Sequence, residues 1–373
     1  MIRNCFHWLI AAATALALAA APALGQATAA PPALDFSALI AASRVSGPLD
    51  FCGESVRLDD PEIRERMELE MLVVLWDMPQ VILWIKRSKK YLEPIEEALS
   101  RHRLPADLKY IAIAESALRP HAGSPKGAMG FWQFIEPTGR RYGLKVDSEK
   151  DERRNLLSST EAAIAYLKDL HAMFGSWTLA VAAYNMGEYG LRNEIERQEV
   201  RDYYRLYLPL ETQRYVFRIL TAKVILSDPA RFGVALEPED LYPPRPVERV
   251  TIESTAPLPL LSVAKAAGTD LKAIKDLNPE IRGYRLAPGP HTLSIPKGAG
   301  KGFHERLARL KPRPAETQAA VEYVVKEGDN LTAIAERFGV SLSELAAWNR
   351  LDLKRPIHAG MRLVMYPEND PSN

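Results

Sequence analysis

Pro105-Ala106-Asp107-Leu108-Lys109-Tyr110-Ile111-Ala112-Ile113-Ala114-Glu115-Ser116 is the stretch that decides how this chain folds. Proline fixes φ and suits the start of a helix, so a helix is expected to follow Pro105. Leu108, Ile111 and Ala112 then recur at i, i+3 and i+4, which places them on one helical face. Glu115 follows at i+7 on that same apolar face. A glutamate there is expected to be buried, and burial disfavours the charged form and raises the pKa. A carboxylic acid kept protonated near neutral pH can give its proton to a leaving oxygen. The pattern alone fits equally well a buried glutamate paired to arginine or capping a helix end.

Outward from this helix the same periodicity governs residues 60 to 230. Asp60 precedes Pro61 as a helix cap, and Pro79, Pro94 and Pro105 punctuate three further helical starts. Ser158 with Glu161 reads as a capping box before Ala162 to Phe174. Ser176 opens a helix that should stop near Gly187, and Tyr203 to Leu226 continues the helical pattern. The expectation is an all-α domain of about 170 residues, within the size of one core.

Beyond Pro243, Pro244 and Pro246 the texture changes. Residues 249–297 read strand, helix, helix, strand. A second linker with Pro312 and Pro314 leads to a similar unit at 321–366. The frame Ala264-x-x-x-Gly268-Thr269-Asp270-Leu271 with Leu277-Asn278-Pro279 returns as Ala335-x-x-x-Gly339-Val340-Ser341-Leu342 with Trp348-Asn349-Arg350, an internal repeat.

The N-terminus has Arg3, then an Ala-rich apolar run from Trp8 to Leu24, then small residues, which reads as a signal peptide over 1–25. An uncleaved anchor remains open, although the run falls short of the ~20 residues that span a bilayer. Residues 26–59 read as a loosely packed leader. Of the 2 cysteines, Cys5 lies in the signal segment, which leaves Cys52 alone as a packed apolar residue. Lys and Arg total 48 against 47 Asp and Glu, a balance unlike that of a nucleic-acid binder. The 7 histidines are scattered without metal-ligand spacing, so neither metal nor cofactor is expected.

The neighbours of Glu115-Ser116 distinguish between the acid and the structural reading. They are Ser124, the run Gly127-Ala128-Met129-Gly130-Phe131-Trp132-Gln133-Phe134, then Thr138-Gly139-Arg140, Asp151-Glu152-Arg153-Arg154, Ala182-Ala183-Tyr184-Asn185-Met186-Gly187-Glu188 and Leu208-Pro209-Leu210-Glu211-Thr212. Over roughly residues 80–225 this series resembles the soluble-type lytic transglycosylases, and among them the D group of membrane-bound lytic murein transglycosylases. The resemblance implies a mainly α, lysozyme-like catalytic domain followed by small α+β (βααβ) LysM-type modules. Residues 322–366 resemble a LysM domain strongly; 249–297 is a degenerate copy with Ala256-Pro257-Leu258-Pro259 where a Gly-Asp turn belongs.

That family cleaves the β-1,4 bond between N-acetylmuramic acid and N-acetylglucosamine with a single glutamate and closes a 1,6-anhydro ring. Position by position, Glu115 matches its catalytic acid/base. Ser124, Gln133, Tyr184 and Asn185 match substrate-contacting residues, with Ser116 beside them. Phe131 and Trp132 offer apolar faces for sugar rings. Peptidoglycan glycan strands are the implied partner and the periplasm the implied location. The chain departs from the family at Glu136, which stands where a proline is usual and adds a carboxylate near the groove. Asp151 and Glu152, beside Arg153 and Arg154, are expected to be salt-bridged. Two other functions stay open: a lysozyme-like muramidase, and a peptidoglycan-binding protein without activity.

Overall fold

The computed structural model describes residues 36–310, 321–349, 351–353 and 356–365. The expected signal peptide, the start of the leader and the linker at 311–315 lie outside these residues. The chain first forms α1 (Phe36–Ser43), a hairpin of β1 (Leu49–Phe51) and β2 (Glu54–Val56), α2 (Pro61–Trp76) and α3 (Met78–Arg101). A 3-10 turn leads into α4 (Tyr110–Ser116), followed by α5 (Glu136–Arg141), α6 (Leu156–Phe174), α7 (Trp177–Met186), α8 (Glu188–Gln198) and α9 (Leu210–Ser227). One hydrophobic core runs from Phe51 to Val234. At its centre α9 packs on α2, α4 and α7, which brings chain positions a hundred residues apart to one place.

The leader reading is corrected from Phe36 onward. Helix α1 packs on α2, and Phe51 is fully buried. Cys52 and Gly53, at φ 55° and 83°, make the tight turn, with the positive φ at both positions that a type I′ two-residue hairpin needs. The Cys52 N–H donates to Asp107 Oδ2 at 2.8 Å. Glu54 caps α7 across the sequence: its carboxylate accepts from the Thr178 N–H at 3.0 Å, the Ser176 hydroxyl at 2.9 Å and the Trp177 N–H. Two cap assignments also change. Pro94 lies inside α3, not at a helix start. Asn155, not Ser158, caps α6, accepting from the Ser158 N–H at 3.0 Å. Asn offers a carbonyl two to three residues ahead of the free N–H groups, so it wins over a serine already one turn in.

The repeat is real at the level of hydrogen bonds. The first unit has β3 (Val247–Ser254) antiparallel to β6 (Gly289–Pro296), a short β4 (Leu258–Pro259) paired with β5 (Arg285–Leu286), and helices α10 (Leu260–Ala266), α11 (Leu271–Leu277) and α12 (Phe303–Leu310). The second has β7 (Val321–Val324) antiparallel to β8 (Arg362–Met365), with α13 (Leu331–Arg337) and α14 (Leu342–Asn349). Asn278 donates to Ile274 O and Ser294 O, both at 2.8 Å, and accepts from the Ser294 N–H at 2.7 Å. Asn349 repeats this bracket on Leu345 O, Val364 O and the Val364 N–H at 2.8, 2.7 and 2.6 Å. Each unit has its own apolar core. No helix among the described residues is long and apolar enough to cross a membrane.

Candidate active site

Helix α4 delivers Glu115 at its C-terminal end, where Leu108, Ile111 and Ala112 are wholly buried as the periodicity required. The chain then turns sharply through Ala117 and Leu118, whose φ values of 52° and 60° are rare outside glycine. Strained backbone of this kind persists only where the surroundings fix it, and it clusters at functional sites. Glu115 itself is half-buried, with its carboxyl within the protein. Burial raises its pKa from 4.5 to about 7, against the lowering effect of the Tyr215 hydroxyl and the Arg218 charge. The Tyr215 hydroxyl donates directly to Glu115 Oε1. Burial and the adjacent Glu115 carboxylate push the Tyr184 and Tyr215 phenols well above their usual range, so both stay neutral donors.

The other wall is the segment 122–134. Its hairpin is closed by a bridge between Gly123 and Met129. Ser124 Oγ accepts from the Ala128 N–H at 3.1 Å, and its own proton has no acceptor among the described residues. Gln133, at φ 48°, donates to Ala122 O at 3.0 Å and Gly130 O at 2.7 Å. Tyr184 on α7 donates to Trp132 O at 2.7 Å, which ties α7 to this wall. Asn185 Oδ1 accepts from the Thr212 hydroxyl of α9 at 2.9 Å. Gly130 is required here: a Cβ would lie 1.8 Å from Arg153 O.

Thus Tyr215 bonds Glu115 directly, Tyr184 feels the charge of Glu115, and Trp132 O links Tyr184 to the wall carrying Ser124 and Gln133. Two expectations are corrected. Ser116 is buried, with its hydroxyl 2.9 Å from both Ala112 O and Phe131 O, so its proton is held by backbone and it locks α4 to the wall. Phe131 and Trp132 belong to the core, and Trp132 Nε1–H donates to Thr160 Oγ1 at 3.0 Å, so neither offers a face to sugar. Glu136, the departure from the family pattern, is exposed at the start of α5 and paired with Arg140 at 2.9 Å.

Asp151 is salt-bridged as expected: fully buried, it takes two hydrogen bonds from Arg153 at 2.8 and 2.9 Å. Glu211 is a second carboxylate whose charge acts on Glu115, and Arg218 holds it at 3.0 Å. Sequence reasoning missed Tyr215 as a site residue. Its signal was available, for Thr212, Tyr215, Val216 and Ile219 share one face at i, i+3, i+4 and i+7. No group of metal-ligating side chains occurs among the described residues.

Three family models match in order along the chain: Transglycosylase SLT domain at 93–206, lytic transglycosylase MltD, LysM-like domain at 248–312, and LysM domain at 323–365. Membrane-bound lytic murein transglycosylase D of Escherichia coli (strain K12) is 33% identical over 315 residues, covering 81% of this chain and 69% of that protein. A putative tributyltin chloride resistance protein of Alteromonas sp. (strain M-1) is 33% identical over 110 residues, 29% of this chain and 53% of that one. The 70 kDa soluble lytic transglycosylase of Escherichia coli aligns in structure with a TM-score of 0.35 and 21% identity, over 44% of this chain and 28% of that one. A relative matched over most of both lengths, with catalytic and LysM-like models side by side, shows that this chain belongs to the lytic murein transglycosylase D family.

Proposed function

We propose that this chain cuts peptidoglycan glycan strands without water, with Glu115 as its one acid/base. The reading rests chiefly on a single half-buried carboxyl, titrating near 7 and held by Tyr215, with no other carboxylate bonded to it among the described residues. Protonated Glu115 gives its proton to the glycosidic oxygen between N-acetylmuramic acid and N-acetylglucosamine, and the C1–O bond breaks. The carboxylate so formed takes the proton of the muramyl C6 hydroxyl, whose oxygen closes on C1. The proton count balances, Glu115 ends as it began, and a 1,6-anhydro end is left. The nucleophile is tethered to the reacting sugar, so no second carboxylate is needed. Hydrolysis would need a partner at about 5–5.5 Å or about 6.5–9.5 Å. Glu211, whose charge acts on Glu115, and Glu136, just after the wall, are each engaged by an arginine. Ser124, Gln133, Tyr184 and Asn185 supply placed hydrogen bonds to the strand, the LysM unit at 321–366 holds the polymer, and the N-terminal 25 residues direct export to the periplasm.

Mass spectrometry of the fragments released from purified sacculi tests the reading. The products are expected to be about 18 Da lighter than hydrolysed ones, the mass of the water that acid/base hydrolysis adds, and to resist borohydride reduction. Full-mass, reducible products would make the chain a muramidase.

A further inference from the structure

The first repeat unit meets the catalytic unit along the loop that follows α11. The Asp151 N–H donates to Glu280 O at 2.7 Å, the Arg282 N–H donates to Glu149 O at 2.8 Å, and Lys150 and Ile281 form an antiparallel bridge. Lys275 shapes the loop from beneath, with Nζ donating to Ile281 O, Arg282 O and Gly283 O at 2.6, 3.1 and 3.0 Å. Across this backbone seam Arg282 enters the catalytic unit, donating to Asp151 Oδ2 at 3.0 Å, and the buried Glu280 carboxyl is bonded by the Asn155 side chain.

Asp151 already binds Arg153, and the other end of Arg153 faces the active-site wall. Arg153 donates to Gly127 O at 2.9 Å and to Phe134 O at 3.1 Å, the two ends of the 127–134 segment. Burial raises the Asp151 pKa, and Arg153 and Arg282 together bring it below the usual carboxylate range. A charge with no solvent access depends on such partners, and removing one from a buried pair costs far more than a surface pair is worth.

We propose that Arg282 of the degenerate repeat is a positioning residue for catalysis, acting through Asp151 and Arg153 to fix the 127–134 wall opposite Glu115. The unit at 248–312 is then a built-in part of the active site, and its α11–β6 loop is committed to the seam instead of to polymer. Glycan capture falls to the second repeat. The catalytic half of this inference rests on the transglycosylase reading; the structural half does not.

The test uses the full chain with Arg282→Ala, and with Arg282→Lys as the conservative variant. The seam's backbone hydrogen bonds do not involve the replaced side chain, so the unit is expected to stay docked. Arg282→Gln, which keeps reach and loses charge, serves if Ala unseats it. Lys272→Ala, an exposed change in the same unit, is the control. Amide exchange is followed in peptides covering 124–134 and, for comparison, α6. In Arg282→Ala the wall should exchange about tenfold or more faster, the effect of losing one charge-assisted bond, with α6 and the control unchanged and Lys restoring part of the protection.

On soluble glycan strands kcat should fall about tenfold, as displaced catalytic geometry predicts, with KM within about twofold because strand contacts elsewhere remain. Unaltered exchange in 124–134 would overturn the positioning role whatever the activity. Faster exchange with unaltered kcat would overturn its link to catalysis. A wild-type enzyme that yields hydrolysed products would overturn the transglycosylase reading and leave the exchange result standing.

Discussion

Glu115 sets the chemistry because one half-buried carboxyl is asked to give and then take a proton near neutral pH. Glu115→Gln keeps the shape and removes the proton, so turnover on sacculi should fall by about 10²–10⁴-fold or more; retention of a tenth of wild-type turnover would remove Glu115 from that role. The same replacement has a second readout. The folded carboxyl titrates near 7 and the ordinary one near 4.5. Between these values the folded state holds a proton that the unfolded chain has lost, so the wild type loses stability as pH rises through this window. The loss is up to about 3 kcal/mol at 1.36 kcal/mol per unit, and Gln avoids it. Thermal midpoints should show the variant gaining on wild type between pH 4 and pH 8; a gap that does not move with pH would contradict the burial argument. Tyr215 holds this carboxyl down, since its hydrogen bond lowers the pKa. Tyr215→Phe should therefore move the alkaline limb of the kcat/KM profile to higher pH while lowering its height.

At the scale of elements, the active site is two pieces of backbone held face to face: the end of α4, and the wall 122–134 fastened by Ser116, Gln133, Tyr184 and Arg153. Gly130→Ala tests that fastening. Its Cβ has no room against Arg153 O, and φ is 84°. The variant should lose about 2 kcal/mol or more of stability and most activity, measured by urea unfolding and sacculus turnover. An active, equally stable variant would mean that the wall tolerates displacement. Much of this was legible beforehand. The i, i+3, i+4, i+7 stripe put Glu115 on a buried face, and α2, α7 and the first and last strands of both repeats fall where caps and periodicity placed them, whereas β4 and β5 went unread. Phe131, Trp132 and Ser116 were misread for one reason. Residue type shows that a ring or hydroxyl suits sugar, whereas burial against Thr160 or a backbone carbonyl is set by packing from distant sequence. Pro94 shows the same limit, because a long helix stabilised by burial on one face accommodates a proline that local rules treat as a boundary.

For the whole molecule, three apolar cores among the described residues mark three units, and the junction between the first two is built around the buried Asp151 charge. A chain that stops near Lys311 keeps the first two units and should retain turnover on soluble strands while losing sacculus binding in a pull-down; undiminished binding would make the last repeat a packing element. Nothing in the sequence disclosed the junction. Arg282 lies 131 positions from Asp151, and its pattern matches that of any exposed arginine after a helix. The hairpin at residues 49–56 raises the same matter of distance along the chain. Glu54 waits for groups 122 to 124 positions later, and Asp50 meets Lys223 across 173. Local helices form in microseconds, but closing contacts of such separation is what slows folding. As the chain emerges N-terminus first, the segment that caps the Tyr184 helix is present early and has nothing to hold until the helix itself arrives. Until then the lytic site does not exist, so the nascent enzyme is harmless to the wall it will later open.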